Sequence, residues 1–301
     1  MSLDGQTFVA QKTTTMILIT GATGHLGSAT INFLLKKLPA SEIVAFVRDE
    51  RKAADLAEKG VTIQVGTYDD TASLDAAMPG IDTVLLIAGT DEEKRLTQHQ
   101  NVVDAARKAG VQRIAYTSRA LKDRSTLVNK LMEGHFQTED YIKASGLTHT
   151  LFQNILYMDV IPQFVGPGVF EQGIYLPAGD GTVAFALRND MAEAMANVLA
   201  AGESGNKLYE LTGSESYSFA DVAAALTDLS GRPVRYTAAE KPAFEAGMRE
   251  RGLPDGMIQR ITDFITDIKN GQEAEVSCDL EILLGRKPTP LKAGLKELYK
   301  L

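Results

Sequence analysis

Gly21, Gly24 and Gly27 stand three apart in the run Gly21-Ala22-Thr23-Gly24-His25-Leu26-Gly27. The run follows a short apolar stretch and opens a stretch with helical spacing, which suits it to phosphate chemistry. One glycine permits a tight turn, a second lets backbone approach an anion, and the third lets helix and strand pack closely. The helix mouth offers free N–H groups and partial positive charge to a pyrophosphate. The loop is therefore expected to hold the pyrophosphate of a dinucleotide, with His25 facing solvent or cofactor.

The next apolar run ends Ala45-Phe46-Val47-Arg48. An NAD-selective site usually carries Asp or Glu at that strand tip. A guanidinium there can instead pair with a 2′-phosphate, and Lys52 can add charge. This predicts NADP(H) rather than NAD(H), although Asp49 and Glu50 could turn inward. Tyr68 and Asp69 follow the third strand, on the expected adenine side. Ala88 and Gly89 follow the fourth, where they could border the nicotinamide ribose.

For proton chemistry the pattern is thinner. Every tyrosine lacks a lysine four residues later, so a Tyr-x-x-x-Lys proton-transfer pair is excluded. His135 and Glu139 are four apart, hence on one helical face. A carboxylate beside an imidazole can orient it and raise its pKa; the alternative is an exposed helical ion pair. Gln98 and His99, and Asn154 and Tyr157, are expected near the same sheet edge, where Tyr157 could wall an aromatic substrate or simply pack.

These residues need a scaffold. Apolar runs at 16–20, 42–47, 61–65, 83–87, 112–117 and 147–152 alternate with helical patterns at 26–37, 50–59, 71–78, 93–109 and 127–144. Continuous apolar strands between helices predict a doubly wound α/β parallel sheet of Rossmann type. The rhythm breaks after Gln153. The expectation is a flexible extension over 1–15, a dinucleotide-binding domain over 16–153, and a smaller, mostly helical substrate lobe over 154–301, some of whose strands could rejoin the sheet. Ser218 is a plausible N-cap for a helix over 218–229.

The chain has 301 residues, 44% hydrophobic and 23% charged, with a net charge of -8. Acidity without a basic run argues against duplex nucleic acid. No apolar stretch is long enough to span a membrane, and no signal-peptide layout opens the chain. The single cysteine, Cys278, excludes an internal disulfide and a Cys-rich metal site. A cytoplasmic monomer or homodimer without metal or flavin is expected.

The strings GATGHLG, KKLPASEIVAFVRDERKA, QHQNVVDAARKAGVQRIAYTS and EGHFQTEDYIKASGLTHTLFQN, with Tyr157 beyond, resemble the NmrA-like atypical short-chain dehydrogenases. Within them the resemblance is to type-2 NAD(P)H:quinone reductases and triphenylmethane dye reductases. It runs from about Met16 to the C-terminal LEILLGRKPTPLKAGLKE. It implies NADPH-dependent reduction of quinones or cationic triarylmethyl dyes. Gly21, Thr23, Gly24, Leu26 and Gly27 would line the phosphate site, and Arg48 would read the 2′-phosphate. His135 falls where related isoflavone-type reductases carry lysine. Gln153 departs from the arginine common in these reductases, and the AGTDEEKR loop is this chain's own, which leaves the substrate pocket open. Such acceptors are already electrophilic and can take hydride without a strong acid. A dinucleotide-binding redox sensor without turnover is the alternative on this scaffold, and an NADPH-dependent carbonyl reductase ranks behind it.

Overall fold

Runs of Ile, Val, Leu and Phe bounded by turns become the strands of a central sheet, as their continuous apolarity requires. The computed structural model describes residues 15–91 and 93–301; the extension expected over 1–15 lies outside them except for Thr15. In chain order the strands are β1 (Ile17–Ile19), β2 (Ile43–Val47), β3 (Thr62–Val65), β4 (Thr83–Leu86), β5 (Arg113–Arg119), β6 (Thr148–Asn154), β7 (Ile174–Leu176), β8 (Thr182–Val183), β9 (Lys207–Leu211), β10 (Tyr217–Ser218) and β11 (Tyr236–Ala238). Seven of them form one sheet in the order β3-β2-β1-β4-β5-β6-β9, with every pairing parallel. The order reverses between β1 and β4, which opens a crevice at their carboxyl ends, the place where such sheets bind ligands.

The helices are α1 (His25–Leu34), α2 (Ala54–Glu58), α3 (Thr71–Ala77), α4 (Arg95–Ala109), α5 (Glu133–Ala144), α6 (Ile161–Val165), α7 (Val169–Gln172), α8 (Arg188–Ala201), α9 (Phe219–Ser230), α10 (Lys241–Glu250), α11 (Asp255–Lys269), α12 (Asp279–Leu284) and α13 (Leu291–Tyr299). Strand side chains alternate between two cores. Ile17, Ile19, Ala45 and Leu85 pack under α1 and α8; Leu18, Val84, Leu86 and Tyr116 pack under α3, α4 and α5. The stretch beyond Gln153 thus feeds both layers: α8 and β9 complete the sheet, and α9 to α11 with two small strand pairs, β7–β11 and β8–β10, build a lobe.

Local sequence explains several helix ends. Ser218 caps α9 as expected, and Asp221 returns the bond to the Ser218 N–H, a capping box. Gly110 closes α4 at φ 77°, a left-handed position that favours glycine. The helix expected over 127–144 is shorter and begins at Glu133. The reason is tertiary: the Asp267 carboxylate on α11 accepts the N–H groups of Val128 (2.8 Å) and Asn129 (2.9 Å) and holds them out of helical geometry. The helix expected over 50–59 is divided, with a 3₁₀ turn at Glu50–Ala53 capped by Asp49 before α2.

Asp267 belongs to a clamp. Gln272 Oε1 accepts from Asp123 N–H at 2.9 Å, and its amide donates to Thr126 Oγ1 at 2.7 Å. Glu273 is ion-paired with Arg119 at the end of β5 and also accepts the Leu156 N–H at 3.2 Å. All three acceptors are buried. Together they fasten the lobe to the ends of β5 and β6.

Candidate functional site

The crevice between β1 and β4 is walled by the glycine loop on one side and residues 87–90 on the other. Gly21 takes φ +58°, and a Cβ on Gly27 would stand 2.4 Å from the Gly21 carbonyl oxygen. The third glycine is therefore required by the close approach of helix to loop. Gly24 is the N-cap of α1 and turns its own N–H back to the Gly21 carbonyl at 2.9 Å; no side chain caps that end, so the N–H groups of His25 and Leu26 remain available to an anion. Thr23, Gly24 and His25 are exposed, whereas Leu26 is buried in the core; Leu26 can offer a ligand its backbone only. An uncapped helix mouth beside a glycine-rich loop fits a dinucleotide pyrophosphate.

Arg48 stands exposed at the tip of β2. Asp49, the acid that could have competed for a ribose, turns away. Its carboxylate takes Arg51 Nε at 3.0 Å and Nη2 at 2.9 Å, and this bond foremost lowers its pKa. Lys52 and Glu50 are exposed on the following turn. Asp49 is thus committed to Arg51 rather than to the cation at the strand tip.

Tyr68 folds beneath the glycine loop. Its hydroxyl lies 2.6 Å from Thr20 Oγ1 and 2.9 Å from the Ile87 carbonyl, tying the ends of β1 and β4 together. Burial raises its pKa far above the ordinary phenol value. Asp69 is exposed and accepts from Gln98 Nε2 at 3.0 Å. The Ala88 N–H donates to Thr117 Oγ1 at 2.9 Å and the Gly89 N–H to His99 Nε2 at 3.0 Å. Arg95 Nε donates to the Gly89 carbonyl at 3.2 Å.

His135 and Glu139 share the buried face of α5, but the structure does not pair them. His135 Nδ1 is 3.0 Å from the Tyr116 hydroxyl. Glu139 accepts from Gln153 Nε2 at 2.8 Å and Lys143 Nζ at 3.1 Å. The expected rise in the His135 pKa is therefore corrected: burial first, then Arg95, Arg119 and His99, hold it well below the ordinary value. His135 is a neutral imidazole at pH 7. Asn154 and Tyr157 do come together, with Asn154 Nδ2 donating to the Tyr157 hydroxyl at 3.1 Å. The Arg188 guanidinium lies 4.7 Å over the Tyr157 ring, and burial raises that phenol as well.

Sequence reasoning passed over Arg95, Thr138, Arg188 and the 267–273 clamp. Arg95, Gln98 and His99, at i, i+3 and i+4, carried the one available signal, a polar stripe on a buried helix face. Among the described residues no cluster of His, Cys, Asp and Glu could hold a metal ion, and no helix is long and apolar enough to cross a membrane.

Comparison with known proteins agrees with this geometry. The chain is similar to quinone oxidoreductase 2 of Escherichia coli K12, 38% identical over 287 residues, covering 95% of this chain and 99% of the relative. Its fold matches the structure of the Escherichia coli NADPH-dependent quinone oxidoreductase complexed with NADPH, with TM-score 0.89, 37% identity and coverage of 94% and 100%. It also matches Citrobacter sp. triphenylmethane reductase complexed with NADP(H), with TM-score 0.86, 35% identity and coverage of 94% and 99%. The sequence profile of the NmrA-like family matches residues 13–295, so the chain belongs to the NmrA-like family.

Proposed function

We propose that this NAD(P)H-dependent oxidoreductase reduces electrophilic aromatic acceptors, quinones or triarylmethane dyes, by direct hydride transfer from NADPH. The observation that carries the reading is the uncapped α1 mouth and its glycine loop beside Arg48, a cation no acid of the described residues engages. The relatives' names, a quinone oxidoreductase and a triphenylmethane reductase, support the acceptor class. NADPH, when bound, supplies the hydride. The N–H groups at His25 and Leu26 would hold its pyrophosphate, and Arg48 with Lys52 its 2′-phosphate. The lobe excludes water from the crevice, and the residues at the β4 and β6 ends orient the acceptor.

The state of the titratable groups supports acceptors that need no strong acid. His135 and His99 are neutral, and Tyr68 and Tyr157 keep their protons. No proton leaves these groups readily at pH 7. A quinone carries its own driving force and takes its proton from water afterwards.

The test is turnover with NADPH and NADH against quinones, triarylmethane dyes and aldehydes, using coenzyme deuterated at C4. Deuterium from one face only should appear in the reduced dye. Loss of label to solvent would overturn direct transfer, and tight NADPH binding without turnover would favour a redox sensor. Arg48→Ala should weaken NADPH binding by roughly 10- to 100-fold, the loss of a charge-assisted contact, while NADH binding changes little. Calorimetry with both coenzymes reads this, and equal losses for the two would remove Arg48 from the 2′-phosphate site.

A further inference from the structure

The polar stripe on α4 gathers the crevice loops from beneath. Asn101 Nδ2 donates to the Tyr68 carbonyl at 2.9 Å and Gln98 Nε2 to Asp69. From the same helix, His99 Nε2 accepts the Gly89 N–H at 3.0 Å, while Arg95, one turn earlier, donates to the Gly89 carbonyl. Both polar groups of Gly89 are thus held from one helix, and the loops after β3 and β4 are set relative to each other by residues spanning two turns.

His99 can accept only while Nε2 is bare, and its other nitrogen explains why it is. His99 Nδ1 lies 2.9 Å from Thr138 Oγ1, which in turn donates to the Gly134 carbonyl at 2.7 Å. With the threonine hydrogen committed to Gly134, its oxygen must accept, so Nδ1 carries the proton and Nε2 is free. Burial first, then Arg95, pushes the imidazole down to about 3, so it stays neutral. A Cβ on Gly89 would stand 3.2 Å from Gln98 Oε1, so the loop lies close against the helix.

We infer that His99 is a positioning residue for the coenzyme: through a Thr138-fixed tautomer it locks the Gly89 peptide and thereby shapes the wall against which the dinucleotide lies. The inference rests on the NADPH reading above. Without the lock, Gly89 has a half-buried N–H without a protein acceptor, and the loop must be ordered at the moment of binding.

Three variants test it, with NADPH affinity by calorimetry, the split between KM and kcat, and thermal unfolding read in parallel. His99→Leu should raise the NADPH Kd by roughly tenfold, the scale of one lost hydrogen bond, with the loss falling on KM rather than kcat. His99→Gln keeps an acceptor and should recover most of that affinity. Thr138→Val leaves the histidine but releases its tautomer, and should fall between. Should His99→Leu fail to fold, the other two decide: unchanged affinity in Thr138→Val together with full loss in His99→Gln overturns the relay. A folded His99→Leu that binds NADPH like the wild type overturns the role itself. If the wild type does not bind NADPH, the proposed function fails instead, which separates the two ideas.

Discussion

Exchanging Glu273 for glutamine should lower the unfolding free energy by about 3–5 kcal/mol. The side chain is 2% exposed and its Arg119 partner 11%, so the charge left behind has little water to turn to. The reason goes beyond charge. Glu273 faces two donors, the Arg119 guanidinium and the Leu156 N–H, and a carboxylate offers an acceptor to each. A glutamine has one acceptor oxygen and one NH₂, so one donor must face another. Removing both charges together, as Arg119→Leu with Glu273→Leu, should cost less than the single exchange, because no uncompensated ion remains. Urea unfolding of the three proteins checks this. A Glu273→Gln protein within about 1 kcal/mol of wild type would show that the pair contributes little, against its burial.

Acid should unfold the protein well before its carboxylates are all protonated. Two imidazoles, His99 and His135, are buried and held neutral, His99 down to about 3 and His135 well below the ordinary value, in each case by burial first. In the unfolded chain both titrate near 6.5. Between that value and the folded one the unfolded state binds more protons, so stability rises with pH there. The contribution is intact above about pH 6.5 and is lost as pH falls toward 3. Each imidazole contributes about 1.4 kcal/mol per pH unit well inside the window, so His99 alone removes roughly 2 kcal/mol between pH 6.5 and 4.5. Denaturant titrations at pH 7.5, 6 and 5 should show the decline, and His99→Gln should flatten it by about one proton's slope. A slope indifferent to replacement of either histidine would refute the assignment.

The sequence revealed the sheet wherever burial on both faces imposes unbroken apolarity, as in β1, β2 and β4. It revealed the glycine turn between β1 and α1 because three glycines each answer a separate steric demand. It revealed less where the deciding partner is remote. The helix read through 127–132 has suitable residues; what unmakes it is a carboxylate on α11, far along the chain. The four-residue spacing of His135 and Glu139 placed both on one face, but spacing does not say which neighbours arrive first, and Tyr116, Gln153 and Lys143 did. The His99 lock was equally hidden, because its partner is a backbone N–H that any residue supplies. The small strands β7, β8, β10 and β11 are two or three residues long, too short to carry a periodicity.

The placement of α8 and β9 has a consequence for synthesis. Leu26, Ile31 and Leu34 on α1 find their cover in α8, and the outer edge of β6 waits for β9. At roughly 5–20 residues per second, the ribosome needs roughly 10–35 s to pass from α1 to the end of β9. Throughout that interval the nascent chain presents a greasy helix, and once β6 (Thr148–Asn154) is made also a bare strand edge, an invitation to holdase chaperones. Codon speed over 154–211, rather than over the glycine loop, should therefore govern how much of the product escapes aggregation.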